Sequence, residues 1–383
     1  MLRGNEVFGN AESGVEARRR GVLLLEGNKV HGSAGCGVQV SASEANLRDN
    51  EIYGNSLAGV LLQAEAKAEV RNNSVFGGGQ SGVVIESGAS AILRGNVVQA
   101  NGQCGIEVRD DGHADMRENV VRRNGHMGIY LYNGATGEIR GNDIRDNGMS
   151  GINVSRNAEP SITANMVHGN RQCGILLDHS GRGSISRNQV HSNGEPGLRI
   201  ETQADPVVTD NTIYNGHHHG ILICEGGCGT VQGNAVMRNR RAGIKVKTDG
   251  APSVLANRVH HGFGLGIHIA ATGGGEVASN ACFSNEASNL LVEAPPHQVV
   301  VRGNGDRAAE QTEAFKRLNT FERTPSPAKG GSNGSKGGSN GSKGSPGGIL
   351  SESDADDDDA WRNLDRSPST QEDSSTNSSP LIV

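Results

Sequence analysis

Large rings are scarce in this chain of 383 residues, which has six Phe, four Tyr and one Trp. A compact globular core ordinarily draws on more of them, because each buries a large apolar area. Six cysteines over this length are too few for a disulfide scaffold and suit a reducing compartment. No apolar run approaches the ~18 residues that span a bilayer. The start, Met1-Leu2-Arg3-Gly4-Asn5, has no apolar stretch of signal-peptide length. A cytoplasmic or nuclear location is therefore expected. There is no basic excess either: 36 Lys and Arg stand against 42 Asp and Glu, a net charge of −6. That argues against a general nucleic-acid binder, and no membrane partner is expected.

What is abundant is glycine, at 57 residues. It does not recur every third residue, so collagen is excluded. It accompanies a repeat instead. An asparagine returns at Asn5, Asn28, Asn50, Asn73, Asn96 and Asn119, and continues in steps of 23 to Asn280, with Asn304 after 24. An aliphatic follows the Asn by two positions (Val75, Val98, Val121, Ile144), with Cys282 in that place after Asn280, and another apolar residue precedes it by three (Val70, Leu93, Met116, Ile139). Nine residues after the Asn comes a Gly-aliphatic pair, as in Gly128-Ile129, with a further aliphatic two positions on, as in Leu131. Spacings of two alternate in and out of a pleat, and β-branched residues suit the inward positions. Glycine and asparagine between the strands tolerate the left-handed backbone of tight turns.

Each repeat is thus one coil of three short strands that buries its apolar columns only by stacking on the next coil. The predicted fold is all-β: a right-handed, single-stranded parallel β-helix of about thirteen 22–24-residue coils over residues 1–304, of the pectin-lyase-like kind. The asparagine column is expected to be a structural ladder of stacked amides. Residues 305–323, with Ala314, Phe315, Leu318 and Phe321 on one helical face, are predicted to form a capping helix. Residues 324–383, a Gly/Ser/Lys linker and an acidic Ser-rich tail, are predicted to be disordered by composition. The chain begins inside a coil, with Leu2 already in an inward column, so a missing N-terminal part is expected.

Function must then sit on outward positions. Arg48, Arg71, Arg94, Arg117 and Arg140 stand two residues before the ladder Asn on five consecutive coils. Glu69, Asp115 and Glu138 lie two positions earlier and can neutralise Arg71, Arg117 and Arg140. The sharper reading is a docking stripe, since the guanidinium fork matches carboxylate and phosphate. A second column, one residue past the inward aliphatic, mixes rings and cations and includes Arg122, Arg145, His168 and His191. A third set lies on the outside of the Gly-Ile-x-Val strand: Glu107 and Arg109, Tyr130 and Tyr132, Asn153 and Ser155, Asp178, Arg199 and Glu201, Lys245 and Lys247. These can hold a sugar polymer or a peptide. Were the chain an enzyme, Asp178, Arg199 and Glu201 are the candidates for acid–base chemistry.

Other motifs are weaker. His217-His218-His219 with Cys224 and Cys228 has the residue types of a zinc site, but Cys224 is an outward strand residue and Cys228 lies in the turn beyond it. No metal and no cofactor are expected. The sugar-cleaving pattern fails on distance. Asp110-Asp111 and His219-Gly220 are four to five coils apart, ~20 Å along the stack, and an Asp-Pro-His motif is lacking.

The runs Ala242-Gly243-Ile244-Lys245-Val246-Lys247-Thr248 and Asn257-Arg258-Val259-His260, followed by Gly266-Ile267-His268-Ile269, carry a family cadence. It resembles the β-helix region of F-box only protein 11 and its relatives over roughly residues 1–304. The resemblance implies a protein-interaction scaffold, the substrate-recognition part of an F-box-type ubiquitin ligase adaptor. Its partners would be a ubiquitination substrate and, through the missing N-terminal part, the Skp1-cullin machinery. No F-box is recognisable in the chain itself. The alternative is a carbohydrate-active β-helix enzyme of lyase, hydrolase or epimerase type.

Overall fold

A computed structural model describes residues 1–305, and strands are their only regular element. The strands assemble into three parallel sheets of 14, 13 and 13 members. Each coil gives one strand to each sheet in turn, so every strand pairs with those one coil before and one coil after. Lys67–Arg71, Ser74–Phe76 and Val83–Ile85 are one such set. We call the sheets first, second and third in that order. The expected right-handed β-helix is what the chain forms. The predicted capping helix and the acidic tail lie outside the described residues, except Gly305, which forms a parallel bridge with Ala281.

Register follows from the period. Val70 pairs with Leu93, Leu93 with Met116 and Met116 with Ile139, so like stacks on like along the first sheet. These four side chains are fully buried, as are Val98, Val121 and Ile144 of the second sheet and Ile106, Ile129 and Ile152 of the third. Full burial of one such side chain contributes roughly 1.5–3 kcal/mol. Glycine precedes the third sheet because the coils close there. A Cβ on Gly128 would lie 2.6 Å from the Gly151 carbonyl oxygen and 2.6 Å from Ile144 Cγ2.

The asparagine column is a ladder. The Asn96 N–H and side-chain amide both donate to Asn119 Oδ1 at 2.9 Å, and Asn119 repeats this with Asn142 at 2.9 and 3.0 Å. A second ladder runs five residues further on, where Asn101, Asn124, Asn147, Asn170 and Asn193 link in the same way. Its members are as buried as those of the first. Both exist because a buried turn has backbone groups that must be paired, and one amide satisfies the neighbouring coil's N–H while donating to a strand carbonyl.

Candidate functional site

On the first sheet the arginine column is largely neutralised by its neighbours. Arg48 pairs with Asp49 at 3.0 Å, Arg71 with Glu69, and Arg94 with Glu118 at 3.3 Å. Arg117 takes both Asp115 at 2.7 Å and Glu138 at 3.0 Å. Glu138 was expected beside Arg140. It reaches back one coil instead, because side chains in register on adjacent coils are as near as those two apart on one strand.

The second-sheet column is a stack of rings at the coil spacing. Phe8, His31, Tyr53 and Phe76 form one run, with centroids 5.4, 4.6 and 5.0 Å apart. His168, His191 and Tyr214 form another, at 4.7 and 4.8 Å. Between the runs, Arg122 donates to Gln99 at 2.9 Å and Arg145 to Asp143 and Asp146 at 2.9 Å each. Asp143 also meets His168 at 3.2 Å. Stacked face to face, these rings offer only their edges outward.

The third sheet differs. Its outward positions hold polar groups that are substantially buried. At one end Arg109 donates to Glu86 at 2.7 Å, to Glu107 at 3.0 Å and to the Tyr132 hydroxyl at 3.0 Å. Tyr132 in turn donates to Glu107 at 2.8 Å, and Ser81 to the other Glu107 oxygen at 2.7 Å. Burial works against the Arg109 charge, but its bonds to Tyr132 and Glu86 outweigh that and raise its pKa. Burial, with Glu107 beside it, also raises the Tyr132 phenol.

At the other end Arg199 donates to Glu201 at 2.6 Å, both side chains being buried. Burial raises the Glu201 pKa and Arg199 opposes the rise. Cys224 contacts Glu201 at 3.8 Å, and burial pushes its thiol up to about 12. Glu201, Cys224 and Glu225 bring their donor atoms within 4.8 Å of one another, a grouping with the donors for a metal ion. Arg199 already supplies the positive charge at that point, 2.6 Å from Glu201 and 3.9 Å from Glu225. The His-Cys zinc pattern does not assemble around Cys228, whose thiol donates to the Ala204 carbonyl at 3.4 Å.

Between these two ends lie Tyr130, Asn153 and Asp178, on three successive coils. Tyr130 stacks on Tyr132 with centroids 4.4 Å apart. Burial first, then the Asp178 charge, pushes its phenol up to about 12, so it stays protonated. Asn153 is 4% exposed and Asp178 9%. The Oδ1 atom of each is buried with no hydrogen-bond partner. Asp178 Oδ1 lies 3.2 Å from His179 Nδ1 as an ion contact without hydrogen-bond geometry. The turn that follows each third-sheet strand sets Arg156, which sequence reasoning missed, and His179, a weak signal in the sequence beside Asp178, at φ 49° and 44°. Arg156 stands 6.0 Å over the Tyr132 ring. Its signal was position, since it directly follows Ser155, an outward residue already singled out. Asp178 and the Arg199–Glu201 pair occupy neighbouring coils, but Arg199 and Glu201 are engaged with each other, with Glu225 and with Cys224, and of the three only Asp178 has a buried oxygen without a hydrogen bond.

With this geometry in view, comparison with known proteins decides the family. The family described as the right handed beta helix region matches residues 1–125 and 104–259. The chain belongs to that family. No curated protein matches it. Among solved structures it is similar to a periplasmic alginate epimerase, AlgG, at 14% identity and TM-score 0.50, covering 73% of this chain and 72% of that one. It is also similar to the A-module of the mannuronan C-5 epimerase AlgE6 of Azotobacter vinelandii, at 15% identity and TM-score 0.51, over 80% and 92% of the two chains. At these identities the likeness is one of fold. The expectation of an F-box substrate receptor is corrected: these two solved β-helices are epimerases, and no comparison brings up an adaptor. The physical reason lies on the first sheet. The arginine column that suggested a protein-docking stripe is mostly consumed by ion pairs with its own coils.

Proposed function

We propose that this β-helix is a carbohydrate-active protein that lays a polysaccharide along the outward face of its third sheet, across the coils of Tyr130, Asn153 and Asp178. The observation that carries the reading is the pair of buried, unspent oxygens at Asn153 and Asp178 beside the Tyr130–Tyr132 ring pair. An unsatisfied buried polar atom is costly, and a bound sugar hydroxyl satisfies it once the side chain turns outward to meet it. Rings beside such acceptors offer an apolar surface to sugar C–H groups. The fold shared with the epimerases supports the same class. Chemically, the Asp178 carboxylate accepts a proton and the Tyr130 phenol, kept protonated, gives one. Arg199 and Glu201 serve as a neutral buried pair that fixes the wall next to Asp178.

The test is a survey of polysaccharides for retention in affinity electrophoresis, followed by assay of new reducing ends and altered sugar stereochemistry in those that bind. Tyr130→Ala and Asp178→Asn should each weaken retention at least tenfold while Arg94→Ala leaves it unchanged. Absence of binding to every glycan, or binding indifferent to both site variants, overturns the reading.

A further inference from the structure

The epimerases of similar fold carry alginate and mannuronan, acidic polymers, in their names. The third sheet of this chain points elsewhere. We infer that its site selects a glycan without carboxylates, a neutral or amino-bearing polysaccharide. The inference rests on the proposed function and deepens it.

Three observations on one face carry it. First, at the outward positions of this face the unspent buried atoms, Asn153 Oδ1 and Asp178 Oδ1, are both acceptors, and the Ser150 hydroxyl in the turn before them, also unspent, can accept or donate. They call for ligand groups that donate, hydroxyl or ammonium, and a uronate carboxylate placed against them adds a third acceptor and a second negative charge. Second, the cations that stand on outward strand positions of this stretch are already neutralised. Arg109 is shared between Glu86 and Glu107, and Arg199 is closed on Glu201. Recruiting either for a substrate carboxylate would strip a partly or wholly buried acid of its partner, which is strongly unfavourable. Third, the outward positions of the third-sheet strands and the residues just past them, from Glu86 to Glu201, hold four carboxylates (Glu86, Glu107, Asp178, Glu201) against two guanidiniums, Lys245 and Lys247 lying two coils beyond this stretch. Because these acids are largely buried, where screening is weak, that excess repels a polyanion. Arg156 does not reverse the balance. It sits in the exposed turn, 6.0 Å over the Tyr132 ring, at the rim of the face.

Asp178 is the centre of the selectivity. Its carboxylate accepts from a sugar hydroxyl, or pairs with the ammonium of an amino sugar, and Asn153 accepts a second hydroxyl one coil away. Adjacent coils are ~4.8 Å apart, so a chain laid along the axis presents successive sugars to successive coils. Tyr130 and Tyr132 flank that track.

The experiment uses the full chain on an array carrying galactomannan, xyloglucan, chitosan, alginate and polygalacturonate, at two ionic strengths. Retention of galactomannan, xyloglucan or chitosan above alginate and polygalacturonate supports the inference. So does a loss of about tenfold in that binding with Asp178→Asn, the size expected for a hydrogen bond to a charged group. Asn153→Ser is a second, smaller probe, and an unchanged circular dichroism spectrum and melting temperature for each variant confirms folding. Preferential binding of alginate or polygalacturonate, lost in Arg156→Ala and retained in Asp178→Asn, overturns the inference while leaving a carbohydrate function intact. Binding of none of the five overturns both.

Discussion

Removing one rung of the asparagine ladder should be far more damaging than the size of the side chain suggests. In Asn119→Ala the Asn96 N–H loses its acceptor, 2.9 Å away, and the Leu93 carbonyl, which stays in the first-sheet ladder, loses a second donor, also at 2.9 Å. Both bonds are buried. The orphaned N–H costs ~1–3 kcal/mol and the lost second bond ~1 kcal/mol, so ~2–4 kcal/mol in all. The Asn96 side-chain amide keeps its bond to the Val70 carbonyl at 2.8 Å, so the damage stops there. Asn119 is not among the left-handed residues, so Ala adds no backbone strain. Stability in a solenoid is a sum of coils and their nearest-neighbour interfaces. A single failed interface should therefore split the array into an early and a late block that unfold separately. The assay is urea unfolding followed by circular dichroism, with hydrogen exchange at the Asn96 amide. Asn46→Ala, which removes only a half-buried bond to Glu69 at 3.3 Å, is the control and should stay within ~0.5 kcal/mol of the parent. A loss below ~1 kcal/mol for Asn119→Ala, with the Asn96 amide still protected, would refute the ladder as a load on stability.

Two glycines separate close approach from backbone preference. Gly128→Ala drives a Cβ to 2.6 Å from Ile144 Cγ2 and 2.7 Å from Asn147 Nδ2 and should cost ~3 kcal/mol in thermal or urea unfolding. Gly141→Ala meets nothing within 4 Å and is opposed only by its φ of +64°, so ~1–2 kcal/mol is expected. Equal effects would contradict the distinction. His260 supplies a pH dependence. Burial first, then Arg258, His261 and Arg238, lower its pKa from 6.5 to about 4. The folded state therefore resists protonation that the unfolded chain accepts. Stability is full above pH 6.5 and falls as the pH drops from 6.5 towards 4. His260→Gln should flatten melting temperature against pH across that window, and an unchanged slope would count against the assignment.

The inward half of this molecule was legible in the sequence because stacking forces each inward residue to meet its own copy 23 positions away. Leu93 over Val70, or Val121 over Val98, is a contact that periodicity alone predicts. Outward positions escape that constraint, and there the reading weakened for a definable reason. A side chain on the outside can reach along its strand or across to the next coil, and the period does not say which. Glu138 chose Arg117 over Arg140, and Glu86 crossed a coil to hold Arg109. The arginine column looked like a free stripe only until those cross-coil pairs were known. Tyr130, Asn153 and Asp178 were visible as residue types on the correct strand face. What the sequence lacked was their hydrogen-bond state. Ser81 finds Glu107 one coil on, at a separation of 26 residues, and Ser13 finds Gln39 at the same separation. The same step reaches Asn153 from Met127, which has no hydroxyl to donate, and the step from Ser150 arrives at Leu176, which has no acceptor to offer. The polar network that runs along the early coils therefore breaks there and leaves the Asn153 oxygen and the Ser150 hydroxyl unspent, one coil from Asp178. A local failure of an otherwise satisfied pattern is where a ligand adds most, so the break in the network marks the site better than the charged columns do.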